Sequence, residues 1–437
     1  MISVRNHRPL LNGNNLVVFL LAIALFSCGA LRQKNNAAAI KPKQEKIKTE
    51  NNGVTFPGSV SANDKLKQEK ERKAQKGRKD DNDATTIYKI ALVLPFSTSE
   101  INNMGSTNWE YMSHVADYYN GLKLALDSLK KTGFSATLSI YYNERDSAKT
   151  VALLNSKNFD SLDLIIGPFD KASFTAVSNF SYNKKISLVS PFNTFELKKF
   201  VPYVFFCNPN LQSYAHKMVN HIQKQKTVDQ INVVYVSDGK SVDKSFGLPF
   251  TDSMNKSQLK FKNIKKANLS TLQDLLLLDP RVRNIVVVPS DDEGTANALF
   301  TVLRSYDKGN VEVYGLETWQ QFKAQDYKRW EVFKVHLLTN NVNLVDNVVG
   351  ENYLSFYHKY REKYSIPPGD FALKGFDHML FFGNALHSLG KEFYNAVGNS
   401  RFDGMHNNMH WLNNNSGKIN ASVRLLRFSE YRLVLID

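Results

Sequence analysis

The sequence predicts an α/β body made of two doubly wound parallel-sheet lobes with a central cleft. Three observations lead there. Short continuous apolar runs, such as Ile90-Ala-Leu-Val-Leu94, have the character of strands buried on both faces. Segments with helical apolar spacing alternate with those runs across short polar connections. The β-α-β-α rhythm then starts afresh after about residue 206, which implies two successive open sheets and a cleft between them.

The chain opens differently. Arg5 and Arg8 precede an apolar run of eleven residues, 16–26, and Ser27-Cys28-Gly29 follows at once. A basic start, a short apolar stretch and a small-residue cleavage site make a signal peptide. The run is well short of the roughly 20 residues that span a bilayer as a helix. Leu25-Phe26-Ser27-Cys28 resembles the lipobox of bacterial lipoproteins, which implies a lipid on Cys28 and a chain held on a membrane. An ordinary secretory signal that happens to contain cysteine is the competing reading.

Residues 29–86 carry fourteen Lys/Arg against eight Asp/Glu, with few aromatic or β-branched residues, and read as a disordered basic tether. Such a leash spans on the order of 40 Å. About half of the +15 net charge falls in 1–86, outside the folded part, and an exported chain meets little nucleic acid. A nucleic-acid partner is therefore not expected. Anionic headgroups or cell-wall polymer suit the tether, and so does plain solvation.

From Ile87 the first lobe begins. Helix 115–131 presents Val115, Tyr118, Tyr119, Leu122, Leu126 and Leu129 at three- and four-residue spacings. Strand 136–142, helix 147–155, strand 163–167, helix 173–181 and strand 186–190 follow, and 203–207 leads into the second series. There, helix 212–225 precedes strands 231–236 and 259–265, then helix 272–278, strand 284–289, helix 295–306 and strand 311–315. Extended 335–338, helices 353–364 and 370–389 parted by Ile366-Pro-Pro-Gly369, and two terminal strands near 422–427 and 431–436 complete the chain. The expected division is lobe 1 at about 87–205 plus part of 340–400, and lobe 2 at about 206–339 plus the terminal strands. Cys207, in an apolar run, is expected to be a buried small hydrophobe rather than a reactive thiol.

Several islands in this order resemble the type I periplasmic binding proteins, the family of leucine/isoleucine/valine receptors. They are Tyr119-Asn-Gly-Leu-Lys-Leu-Ala-Leu-Asp127, Asp163-Leu-Ile-Ile-Gly-Pro168, Ile186-Ser-Leu-Val-Ser-Pro191, Val311-Glu-Val-Tyr-Gly315 with Trp319, and Gly375-Phe-Asp377. The resemblance implies a ligand held by hydroxyls and amides on the loops after the third and fourth strands. In open α/β sheets ligands do sit beyond the strand carboxyl ends. Candidate ligand residues are Asp170, Lys171 and Ser173 on the first loop, Ser190, Asn193 and Thr194 on the second, and the aromatics Tyr314 and Trp319. Asp170 and Lys171 depart from the small hydroxyl residues usual in the family, and a helix-start carboxylate with a solvated lysine is the equal alternative. For Tyr314 and Trp319 a core position competes.

Neither a nucleophile elbow, a P-loop nor a G-x-G-x-x-G is present, and no enzyme, cofactor or metal is expected. His406-x-x-x-His410 has ligand-like spacing but lies in a turn-rich region without a general-base Glu, and Asp291-Asp292-Glu293 fits a helix start. Two functions compete. One is a membrane-anchored receptor for a small polar ligand, such as an amino acid or peptide, on the periplasmic face of the outer membrane. The other is an envelope regulatory or structural lipoprotein that uses the same fold to dock a protein partner or peptidoglycan machinery. A cleft filled by Phe169 and Phe192, with no stabilisation by any solute, would speak against the receptor.

Overall fold

In the computed structural model, residues 86–97, 106–226, 230–306, 310–341 and 351–436 are described. Cys28, the signal segment and the tether lie outside them.

The first sheet grows from the apolar run β1 (Ile87–Leu94), whose residues from Ile90 onward are all buried. It pairs in parallel on one side with β2 (Ser135–Tyr142), Leu92 opposite Ile140, and on the other with β3 (Leu164–Ile166), Leu92 opposite Ile166. β4 (Ser187–Ser190) and β5 (Val204–Phe206) extend the parallel ladder. Helices α1 (Ser106–Lys130), α2 (Ser147–Leu154) and α3 (Lys171–Lys184) make the crossovers. β3, β4 and β5 are short and buried along their whole length because both of their faces are covered, whereas β2 at the margin is only partly buried.

After β5 the chain enters the second sheet through α4 (Leu211–Lys226). Strands β6 (Gln230–Ser237), β7 (Lys262–Lys265), β8 (Val282–Val287), β9 (Val311–Leu316) and β10 (His336–Thr339) pair in parallel. Between them run α5 (Ser241–Lys256), the single turn α6 (Leu272–Leu275), α7 (Glu293–Leu303) and α8 (Tyr327–Val332). The chain returns to the first lobe in α9 (Glu351–Tyr364) and α10 (Asp370–Leu389). Then β11 (Arg401–Phe402), β12 (Met409–Asn413) and β13 (Lys418–Asn420) add to the first sheet, and β14 (Arg424–Ser429) and β15 (Arg432–Leu435) to the second.

The sheets are thus eight- and seven-stranded, in the orders β11-β12-β13-β5-β4-β3-β1-β2 and β15-β14-β10-β9-β8-β6-β7. The doubly wound parallel core of each lobe is as expected, and antiparallel strands extend it at one margin. β11, β12 and β13 pair antiparallel with one another, as do β10, β14 and β15. The last crossing between lobes leaves the tail at the sheet margins, where short hairpins suffice to cover an edge.

Two further differences concern helices. α5 contains Pro249 and is not expected from the local sequence. It forms because Phe246, Phe250 and Met254, at four-residue spacing, are all fully buried against the second sheet. α1 starts at Ser106, earlier than the apolar spacing implies. Among the described residues no helix is long and apolar enough to cross a membrane.

Candidate functional site

The chain passes between the lobes at β5–α4, at β10–α9 and at β13–β14. Asparagine side chains bind these passages to one another. Asn340 donates from Nδ2 to Asn208 Oδ1 at 3.4 Å, and Asn407 donates to the Asn340 carbonyl at 3.1 Å. Asn420 donates to the carbonyls of Cys207 (3.0 Å) and Asn408 (2.9 Å). An amide that both donates and accepts can join backbone groups that belong to no ladder, which explains the choice of residue here. Cys207 is buried in this knot, and burial pushes its thiol well above the usual range.

The loop after β4 is fastened to the same knot. Thr194 Oγ1 donates to the Asn208 carbonyl at 3.2 Å, and Asn208 Nδ2 donates to the Phe192 carbonyl. Ser190 Oγ donates to the Asn193 carbonyl at 2.6 Å, and Asn193 Nδ2 to the Phe169 carbonyl at 3.3 Å. The expected donors on this loop therefore serve the loop itself and its neighbour. Rather than presenting hydroxyls, the two loops present rings. Phe169 and Phe192 lie 5.1 Å apart, both touch Tyr118 edge-on, and Phe192 meets Phe371 at 4.9 Å.

On the first loop Asp170 caps α3. Its Oδ1 accepts from the Ser173 amide at 2.9 Å and its Oδ2 from Asn143 at 3.1 Å. Lys171 is exposed, and Ser173 is buried in the helix's first turn. The alternative of a helix-start carboxylate beside a solvated lysine describes the positions of this pair. Tyr314 and Trp319 take the core positions that compete with a ligand contact. Tyr314 is fully buried, stacks on His336 at 4.1 Å and donates to Glu312 at 3.2 Å. Trp319 is fully buried and donates to the Ser290 carbonyl at 2.7 Å. Both are core anchors of the second lobe with satisfied polar tips.

What does gather at the junction is a charged set of which Glu317, Lys374 and His378 carry no sequence signal. Glu317, directly after β9 of the second lobe, accepts from Thr339 Oγ1 and from the Tyr214 hydroxyl at 3.5 Å. Lys374, on α10 of the first lobe, lies 5.1 Å over the Phe371 ring. Burial holds its ammonium below the usual range, and Glu317 and Asp370 pull it back up. One helical turn on, His378 is fully buried, with Nδ1 3.2 Å from the Tyr118 hydroxyl. Burial, then the charge of Lys374, pushes its pKa down to about 3. The adjacent Asp377 carboxylate accepts from the backbone amides of Met405 (3.0 Å), His406 (2.7 Å) and Asn407 (3.0 Å). Burial raises Asp377 to about 6 against the pull of those three amides. The amide collar fixes His406 beside His378, and burial followed by Lys374 and His378 depresses its pKa.

His406 and His410 share no helix: the first lies in the collar, the second in β12. Among the described residues no His, Cys, Asp and Glu cluster has the arrangement of a metal site. A depression of about 440 Å³ lined by Ser270, Gln273, Thr301, Val302 and Arg304 faces the end of α7, opposite the strand carboxyl ends, and so lies away from the junction.

No family model matches this sequence, and no curated protein is similar to it in sequence. Solved structures are similar in fold. An ABC-type branched-chain amino acid transporter protein from Rhodopseudomonas palustris aligns at 14% identity over 79% of this chain and 94% of that one, with a TM-score of 0.55. A branched chain amino acid ABC transporter periplasmic ligand-binding protein from Burkholderia xenovorans aligns at 11% identity over 80% and 94%, with a TM-score of 0.54. Full-length LpoA from Haemophilus influenzae gives 10% identity, 80% of this chain, 59% of that chain and a TM-score of 0.54. With its two α/β lobes and three passages between them, the body of this chain has the type I periplasmic binding protein-like fold.

Proposed function

We propose that the chain is an envelope lipoprotein whose two-lobed body binds a small polar solute at the lobe junction. The observation that carries this reading is the hinge. Each lobe has its own buried core, and the asparagine-bonded passages join them. Few residues then need to change backbone angles for the lobes to close on a ligand. The solute-binding proteins with this fold lend support.

A second reading, a docking module for an envelope protein or peptidoglycan machinery, is favoured by one observation. Phe169 and Phe192 occupy the place where the first-lobe loops would receive a solute carboxylate, and their hydroxyl and amide neighbours are engaged internally. One screen separates the two. The full-length chain is scanned for thermal stabilisation by amino acids, short peptides and muropeptides, and small-angle scattering follows any hit. A receptor gains stability with free solute and contracts as the lobes close. Failure of every solute to shift the transition would leave the docking reading.

Anchoring through Cys28 has its own test. Cys28→Ser is expected to move the chain from the membrane fraction to the soluble envelope fraction and to abolish incorporation of a palmitate analogue. Unchanged fractionation would refute the anchor.

A further inference from the structure

We infer that Lys374, flanked by His378 and His406, seats a small anionic group, a carboxylate or a phosphate, at the junction of the two lobes. This rests on the solute-binding reading of that junction and narrows it to a ligand class. It also moves the site away from the loop hydroxyls, which are engaged with their own backbone.

Three geometric facts converge. Lys374 and His378 are four residues apart on α10 and so share one helix face. His406 is tied by its backbone amide to Asp377, which lies between Lys374 and His378 on that helix. Among the described residues Lys374 forms no ion pair, although it is half-buried and cannot be fully hydrated. Its nearest attractive charges are Asp370 on its own helix and Glu317 from the second lobe, and Glu317 already holds Thr339 and Tyr214. Asp377, which lies between Lys374 and His378 in sequence, is buried and its carboxylate accepts from the three amides of the collar.

A half-buried ammonium beside two buried imidazoles, with no anion against it, is an incomplete electrostatic arrangement. An incoming anion would complete it. The Phe371 ring under the ammonium is itself packed on Phe192 and His114. An anion held on Lys374 would be repelled by Glu317 if it overshot toward the second lobe.

The test uses the full-length chain, with inorganic phosphate, succinate, glycerol and putrescine as probes in calorimetric titration. Phosphate or succinate is expected to bind, and Lys374→Met to weaken that binding about tenfold or more. Lys374→Arg should retain most of it. Binding of phosphate without succinate assigns a phosphate group, and the converse a carboxylate. Lys374→Met exchanges the charge for an apolar chain of similar length, so its urea midpoint should match or exceed the parent's. Unchanged anion binding in Lys374→Met would overturn the assignment. So would binding and lobe closure with glycerol or putrescine alone, which would leave the solute-binding reading standing. Were no probe or solute of any charge to bind, both would fall.

Discussion

Gly375→Ala is expected to destabilise the first lobe by more than about 4 kcal/mol, to the point of preventing its folding. Helices α1 and α10 cross with their backbones in contact. A Cβ on Gly375 would lie 2.0 Å from the Tyr118 carbonyl oxygen and 3.1 Å from the Leu122 nitrogen. A Cβ on Gly121 would lie 1.8 Å from the Ala372 carbonyl oxygen. The clashing atoms are main chain, so no rotamer change relieves them. The helices would have to part, and Tyr118, Leu122, Ala125 and Leu129 would lose their packing on Met379, Phe382 and Leu386. Gly121→Ala should behave the same way. Gly398, which has open space around it, is the control, and Gly398→Ala should be near neutral. Urea titration followed by circular dichroism reads all three. A Gly375→Ala midpoint equal to the parent's would show that the crossing is not tight.

This pair of glycines also shows how much of the fold is legible in the sequence. Tyr119-Asn-Gly121 and Gly375-Phe-Asp377 were two separate islands of a family resemblance, more than 250 residues apart. In the structure they are the two sides of one helix crossing. The central strands were legible because burial on both faces leaves an unbroken apolar run, as in 90–94. α5 was not, because Gly247 and Pro249 interrupt the local signal and only packing on the second sheet restores it. β11 to β13 escaped for another reason: runs of two to five residues carry too little alternation to stand out among asparagines and glycines.

The site was less legible than the fold. The loops after β3 and β4 are legible as strand ends, but residue type alone does not say what Ser190, Asn193 and Thr194 reach. Hydroxyl and amide residues serve equally well as loop fasteners, and distinguishing the two uses needs the positions of the carbonyls they reach. Lys374 and Glu317 had no sequence signal at all. They sit on different lobes, 57 positions apart, and what makes them notable is the absence of a mutual partner. Asp377 did lie within a recognised island. Its function as the acceptor of three amides of the 405–407 segment depends on a return of the chain that no local pattern encodes.

That collar has a consequence for stability in acid. His336, His378 and His406 are almost fully buried, and burial depresses each below the ordinary 6.5. A base whose folded pKa is lowered contributes stability above its unfolded pKa and loses it as the pH falls toward the folded value. Each such histidine therefore costs up to about 1.4 kcal/mol per pH unit below pH 6.5. Asp377 acts in the opposite sense. Its folded pKa, near 6, lies above the ordinary 3.8, so its contribution is present in acid and lost as the pH rises through 6. One carboxylate cannot offset three imidazoles, and the net expectation is a loss of about 3 kcal/mol between pH 7 and pH 5.5. The chain should thus soften in mild acid, well before ordinary carboxylates titrate. Urea titrations at half-unit pH steps measure the slope. His378→Gln, which keeps a polar partner for the Tyr118 hydroxyl but cannot take up a proton in this range, should reduce that slope by about a third. Asp377→Asn removes the opposing contribution and should steepen the slope, whatever it does to absolute stability through the weakened collar. Stability independent of pH from 7 down to 5.5 in the parent would contradict the burial of these histidines as neutral bases.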